Sequence, residues 1–174
     1  MESLVSAPFL NRYAGRRVFV TGHTGFKGCW LSLWLHRLGA QVTGFSLPAT
    51  SPGLHEVVRE KTFVAETFGD IRDARAINDA MRAARPDFVF HLAAQALVRL
   101  SYDDPKATFD TNVGGSVNVL EAVRNTPSVR AMVYVTSDKC YRNNEWVWGY
   151  REHDTLGGRD PYSASKAAAE LVFD

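Results

Sequence analysis

The sequence predicts an α/β fold built as a doubly wound parallel sheet, and three observations carry that prediction. Short apolar runs rich in β-branched and aromatic residues recur at 17–21, 41–46, 63–68, 88–92 and 131–136, and each reads as a buried parallel strand. Segments with helical apolar spacing alternate with these runs. The first run, Arg17-Val-Phe-Val-Thr21, passes directly into a glycine-rich turn, Gly22-His-Thr-Gly25-Phe-Lys-Gly28, and then into an amphipathic segment. Strand, glycine turn and helix in succession is the context in which glycines prepare a dinucleotide site.

In that turn Gly22 allows a tight bend, Gly25 lets backbone approach a pyrophosphate, and Gly28 lets the helix pack close to the sheet. Thr24, Phe26 and Lys27 complete the loop. Amides at the start of the following helix lack intrahelical partners and carry the positive end of its dipole, so they suit a diphosphate. Trp30, Leu31, Leu33, Trp34, Leu35 and Leu38 form the helix's apolar face and are read as core. Gly39 ends it, Gln41–Ser46 is the second strand, and prolines and glycine mark 47–53 as a loop. A short helix is expected over 54–60 and a third strand over 63–68. Asp73 caps a helix over Ala74–Ala84 with Ile77, Ala80, Met81 and Ala84 at helical spacing. After the strand at 88–92, Pro105 opens one long helix to residue 123, with Phe109, Val113, Val117 and Leu120 on one side. The strand at 131–136 leads into a polar, aromatic-rich loop over 138–160 and a last helix from Pro161.

A chain of 174 residues that is 45% hydrophobic can bury one sizeable core, expected as a single domain over 16–174 behind an N-terminal extension, 1–15. Twenty lysines and arginines against 19 acids give a net charge of +1, with no block of like charge, so neither nucleic acid nor membrane is an expected partner. Cys29 and Cys140 lie far apart without metal-ligand spacing; reduced thiols and no metal are expected. No apolar stretch is long enough for a bilayer and the first residues lack signal-peptide character, so the expected location is cytoplasmic. The last helix breaks off at Asp174 in mid-pattern, as in the front part of something longer.

Right-handed crossovers bring all strand C-termini to one edge of such a sheet, where ligands bind at the switch point. That edge gathers Gly22 to Gly28, Ser46, Asp70 and Ile71, Leu92, Ala93, Ala94 and Gln95, and Thr136 to Lys139. The strongest catalytic signal is Tyr162-Ser-Ala-Ser-Lys166, whose spacing puts both side chains on one helix face, one turn apart. A lysine ammonium beside a phenol favours the phenolate, drawing the tyrosine down from about 10 toward working pH. Such a tyrosine takes a hydroxyl proton while a hydride leaves the same carbon.

This combination resembles the extended short-chain dehydrogenase/reductase family, in which the glycines are spaced three and three as here. Gly69-Asp70-Ile71-Arg72-Asp73, His91-Leu-Ala-Ala94, Asn112-Val113 and Pro161-Tyr162 match further. The resemblance implies a Rossmann-type domain holding NAD, truncated before a C-terminal substrate lobe, with Asp70 and Ile71 touching adenine and Ser137 completing a triad with Tyr162 and Lys166. After Ser137 stand Asp138 and Lys139, where the family's nucleotide-sugar 4,6-dehydratases carry an acid pair, usually Asp-Glu. Ser-Asp-Lys-Cys-Tyr at 137–141, with the runs at 95–105, 146–152 and 156–160, is similar to the branch acting on CDP-glucose.

That likeness implies oxidation at C4, elimination of water across C5 and C6, and return of the hydride to C6 to give a 4-keto-6-deoxy product, in deoxysugar and lipopolysaccharide biosynthesis. Asp138 is then the acid toward the C6 oxygen and Lys139 the base at C5; exchanged roles, a Lys139 that only stabilises an enolate, and simple pairing at a loop entrance remain open. A homodimer through the 105–123 and Tyr162 helices is implied, as is lack of turnover in this chain by itself. A 4-epimerase of the same family and a non-catalytic dinucleotide-binding module are the competing readings. Arg99 and the 146–150 loop face the sugar or pack. The second strand ends without an acid, leaving Ser46 for a ribose hydroxyl and the choice of NAD over NADP unsettled at that position. Arg59 and Lys61 read as solvated charge, His91 as a satisfied buried histidine, and His23 as a phosphate contact or a loop residue chosen for shape. His55 and His153 have no chemical partner legible in the sequence.

Overall fold

The computed structural model describes residues 8–49, 53–62 and 64–174. Residues 1–7 of the expected extension, 50–52 of the expected loop, and Phe63 at the expected start of the third strand lie outside the described residues. Five strands, β1 (Arg17–Thr21), β2 (Gln41–Ser46), β3 (Ala65–Phe68), β4 (Phe88–His91) and β5 (Ala131–Tyr134), form one parallel sheet in the order β3-β2-β1-β4-β5. The chain order reverses between β1 and β4, where a doubly wound sheet opens its crevice.

Side chains of β1 alternate between two cores. Phe19 joins Phe45, Ile71, Ile77, Met81, Val89 and Val119 on one face, whereas Val18 and Val20 join Leu35, Ala40 and Val42 on the other. A strand covered on both faces has no polar side to present, which is why β1 reads as a continuous apolar run.

The helices are α1 (Phe26–Arg37), α2 (Leu54–Arg59), α3 (Ala74–Ala84), α4 (Val98–Asp103), α5 (Pro105–Phe109), α6 (Ser116–Arg124) and α7 (Pro161–Phe173). α3 is as expected, with Ile77 and Met81 buried and the Asp73 carboxylate accepting from the Arg75 and Ala76 amides at 3.0 Å each. Several elements correct the sequence reading, β3 among them, which starts at Ala65. In α1 the inward side is Gly28, Cys29, Ser32 and Leu35, and Trp30 and Trp34 stay about half exposed, at 51% and 54%. The close seat of the helix on the sheet admits only small side chains along its first turns, so the tryptophans turn outward. The 105–123 helix is not uniform: a π-helical turn over 110–115 separates α5 from α6, and α4 precedes them unannounced. The inward side of this run is Thr108, Asn112, Gly115, Ser116, Val119 and Ala122, leaving Phe109 and Val117 largely outward. Gly115 is needed at the crossing, since a Cβ there would stand 2.6 Å from Ile71 Cδ1. Last, β4 and β5 end one and two residues sooner than expected.

No helix among the described residues is long and apolar enough to cross a membrane. Cys29 and Cys140 are both buried free thiols. Because Asp73 satisfies two orphan amides of α3, Asp73→Ala lowers the unfolding free energy by about 1 kcal/mol in urea titrations. An unchanged midpoint would contradict the cap.

Candidate dinucleotide and catalytic site

A cavity of about 470 Å³ opens at the C-terminal ends of the strands. Its floor is the glycine loop. Gly22 has φ +74°, and a Cβ on it would lie 2.8 Å from the Ala93 nitrogen. A Cβ on Gly28 would lie 2.0 Å from the Gly22 carbonyl oxygen. Helix α1 therefore starts against the end of β1, with Gly25 as an N-cap that offers no side-chain bond to the first-turn amides. This uncapped helix start, glycine-lined and facing the cavity, fits a diphosphate. Thr24 Oγ1 lies 2.6 Å from Ser46 Oγ, and the Leu47 carbonyl accepts from both hydroxyls. Farther along, Asp70 takes a two-pronged bond from the Arg72 guanidinium, at 2.9 Å from Nε and 2.6 Å from Nη2, which holds its carboxyl below the usual range.

Beneath the cavity runs a buried polar chain. Thr21 Oγ1 accepts from the Leu92 and Ala93 amides at 3.1 Å each, so its own proton points to His91 Nδ1, 2.6 Å away. His91 then donates from Nε2 to Ser116 Oγ at 3.0 Å, and Ser116 donates to the Asn112 carbonyl. Burial, with the nearby Lys166 charge second, pushes the His91 pKa to about 3. The imidazole is a neutral structural bridge, as its sequence position suggested. Asn112, within the π-helical turn, binds the Gln95 amide and carbonyl at 2.8 and 3.0 Å and Ser165 Oγ at 2.9 Å, tying the β4 loop to α7.

On the opposite wall, Asp160 caps α7 through the Ser163 amide and hydroxyl, and Pro161 occupies its first turn. The Tyr162 amide is anchored to Ser101 Oγ at 3.1 Å. From this fixed start, Tyr162 and Lys166 both reach the cavity wall. Lys166 is 7% exposed, and burial followed by the Lys27 charge lowers its pKa, against the opposing pull of Glu170. Glu170 also accepts from Thr136 Oγ1, so it joins the end of β5 to the helix carrying the tyrosine.

Every residue assigned to the cofactor from sequence lines this one cavity: Gly22, Thr24, Gly25, Phe26, Lys27, Gly28, Ser46, Asp70, Ile71, Leu92, Ala93, Ala94, Thr136, Tyr162 and Lys166. Leu47, Arg72, Thr111 and Val135 line it too and were missed. Glu170 was also missed, although its place one turn beyond Lys166 on the same helix face was a readable signal. Ser137, Asp138 and Lys139 directly follow the lining residue Thr136 but are not themselves in the lining; Ser137 caps a 3-10 turn over Asp138–Cys140. Asp138 and Lys139 form a 3.6 Å ion pair with side chains 80% and 61% exposed. Arg99 is exposed on α4, outside the lining. The alternative of a phosphate contact for His23 is corrected: its ring is buried and directed away from the cavity, toward Glu66 and His55.

Residues 19–174 match the family described as GDP-mannose 4,6 dehydratase. The chain belongs to that family. Within it, the chain is 55% identical to the CDP-glucose 4,6-dehydratase of Salmonella typhimurium, over 93% of this chain and 45% of that protein. It is 32% identical to UDP-glucuronate 4-epimerase 1 of Arabidopsis thaliana, over 94% of this chain and 39% of that protein. An epimerase from Methanothermobacter thermautotrophicus superposes with a TM-score of 0.85 at 28% identity, covering 99% of this chain and 51% of that one. The Thermus thermophilus UDP-glucose 4-epimerase in complex with NAD superposes with a TM-score of 0.77 at 32% identity, covering 90% and 49%. The chain thus spans about half the length of the family relatives it matches, and the extended short-chain dehydrogenase/reductase fold is the one expected.

The buried His91 makes a prediction about acid. Its pKa is lowered from 6.5 to about 3 on folding, so between those values the unfolded chain binds a proton that the folded chain refuses. Stability therefore falls as pH drops through that window, by about 1.4 kcal/mol per pH unit for this group. His91→Gln flattens the plot of unfolding free energy against pH by about one proton between roughly pH 6 and 4; parallel plots would contradict the neutral bridge.

Proposed function

We propose that this chain forms the dinucleotide-binding part of an NAD-dependent nucleotide-sugar 4,6-dehydratase that acts on CDP-glucose. The observation that carries this reading is the common cavity of the glycine loop, Tyr162 and Lys166, with Ser137, Asp138 and Lys139 next in the chain after its lining residue Thr136. The relative named as a CDP-glucose 4,6-dehydratase supports the reaction and the nucleotide.

The glycine loop and the start of α1 hold the pyrophosphate, Ser46 faces a ribose, and Asp70 with Ile71 borders the adenine. When bound, NAD supplies a reversible two-electron acceptor. Tyr162 takes the proton of the C4 hydroxyl, Lys166 stabilises the phenolate that does so, and Ser137 binds the same oxygen. The ketone formed at C4 acidifies the C5 proton. Lys139 removes that proton while Asp138 protonates the departing C6 oxygen, and water leaves. Return of the hydride to C6 and of a proton to C5 then completes the 4-keto-6-deoxy sugar and restores the oxidised cofactor. These roles need a neutral lysine and a protonated carboxyl, and one proton moved across the 3.6 Å ion pair produces both. The same ion pair favours a second reading in which no transfer is needed, with Asp138 as the base and Lys139 as the acid.

Arg99, at the exposed start of α4, is assigned to the sugar nucleotide. Outward apolar residues on α4 to α6, among them Leu100, Tyr102, Phe109 and Val117, support a homodimer through this face and α7. Turnover requires the full-length protein.

Incubating the full-length protein with CDP-, dTDP- and GDP-hexoses is expected to yield a 4-keto-6-deoxy product from CDP-glucose. Product from dTDP-glucose with none from CDP-glucose would overturn the substrate assignment. Lys139→Met retains NADH formation on mixing with substrate but lowers product formation by about 100-fold or more, whereas Tyr162→Phe suppresses both steps. Unimpaired turnover in Lys139→Met would exclude both roles for that residue.

A further inference from the structure

His23 directly follows Gly22 in the dinucleotide loop, yet its side chain is 97% removed from solvent, at 3% exposure, on the far side of the loop from the cavity. Its ring lies over Gly44 of β2, where a Cβ would come within 2.3 Å of the ring Cγ. Gly44 is the register partner of Glu66 on β3. Across that gap His23 Nε2 donates to Glu66 Oε1 at 3.2 Å. His55, on α2, bonds the same oxygen, and Arg59 Nε is 3.2 Å from Oε2. His23 Nδ1 is buried without a partner, so the ring proton belongs on Nε2. The His23 carbonyl is tied as well, accepting from Cys29 Sγ at 3.3 Å. Thus the residue between two cavity-lining positions, Gly22 and Thr24, is fastened by both side chain and backbone.

We propose that His23 is a positioning residue for the dinucleotide loop, held from beneath by Glu66 through the gap that Gly44 leaves in β2. This rests on the cofactor reading above and extends it to residues that touch no ligand. A loop fixed before binding loses less freedom when a pyrophosphate arrives. The anchor bears chiefly on the pyrophosphate segment, since it fixes residue 23 between Gly22 and Thr24. The adenine end of the cavity is built from 69–72 after β3, which the ring approaches through Phe68, 6.2 Å away between ring centroids.

His23, His55 and Glu66 also bring three donor atoms within 4.8 Å of one another, close enough for a divalent cation. Arg59 already supplies positive charge facing Glu66, and both imidazoles bond Oε1 through Nε2, so the atoms that would face a cation are already engaged with one another.

The test titrates NAD⁺ and adenosine into the full-length protein and its variants. His23→Ala weakens NAD⁺ by about tenfold and leaves adenosine within about twofold. Gly44→Ala, which displaces the ring without removing it, does the same. Glu66→Gln weakens NAD⁺ by itself and adds nothing in the His23→Ala background, as expected for one shared interaction. Equal losses for NAD⁺ and adenosine, or additive losses in the double variant, would overturn the proposal. So would thermal stabilisation by one equivalent of Zn²⁺ that His23→Ala abolishes, because the cluster would then be a metal centre. An unsubstituted chain that binds no NAD⁺ removes the cofactor reading, and this inference with it; tight NAD⁺ binding indifferent to all three substitutions removes this inference alone.

Discussion

The closest packing constraint at the site is the approach of Gly28 to the Gly22 carbonyl, where a Cβ would have to fit within 2.0 Å of oxygen. That contact sets how near α1 starts to the end of β1, and several other features follow from it. The inner face of α1 is reduced to Gly28, Cys29 and Ser32 before Leu35 can be admitted, and the tryptophans are turned out. The first-turn amides, uncapped by any side chain, stand at the cavity floor rather than against the sheet. A fold that kept ordinary side chains at positions 22 and 28 would lift the helix and lose the place where a diphosphate meets it.

A second constraint fixes the distance from this floor to the tyrosine wall. The chain of bonds from Thr21 through His91, Ser116 and Asn112 to Ser165 crosses from β1 to α7 beneath the cavity. Each of its polar atoms is buried, so breaking one link strands the next, at about 1 to 3 kcal/mol for an unsatisfied group. Glu170 holds the other side by joining Thr136 to the helix of Lys166. Loop, strand end and α7 are thereby set relative to one another by polar networks, while the apolar cores on the two sheet faces hold the layers together.

Much of this was legible in the residues. Alternating apolar runs fixed the five strands, and the glycine loop fixed which strand end opens the cavity. What the sequence concealed came from packing. Trp30 and Trp34 keep helical apolar spacing, and nothing local shows that the sheet is too near to receive them. The π-helical turn at 110–115 breaks a pattern that looks continuous, because one extra residue per turn leaves composition unchanged. His23 reads as part of a phosphate loop until Gly44 and Glu66, distant in sequence, are seen to give its ring another home. Arg72 is visible only once its guanidinium is found on Asp70.

In the proposed function, the start of α1 and the Tyr162–Lys166 face address two ends of one bound dinucleotide. A crystal structure of the protein grown with NAD⁺ decides this. The pyrophosphate is expected against the amides of 25–28, the adenine beside Asp70 and Ile71, and the nicotinamide ring next to Tyr162. Nucleotide density lodged elsewhere, or a nicotinamide directed away from Tyr162, would contradict it.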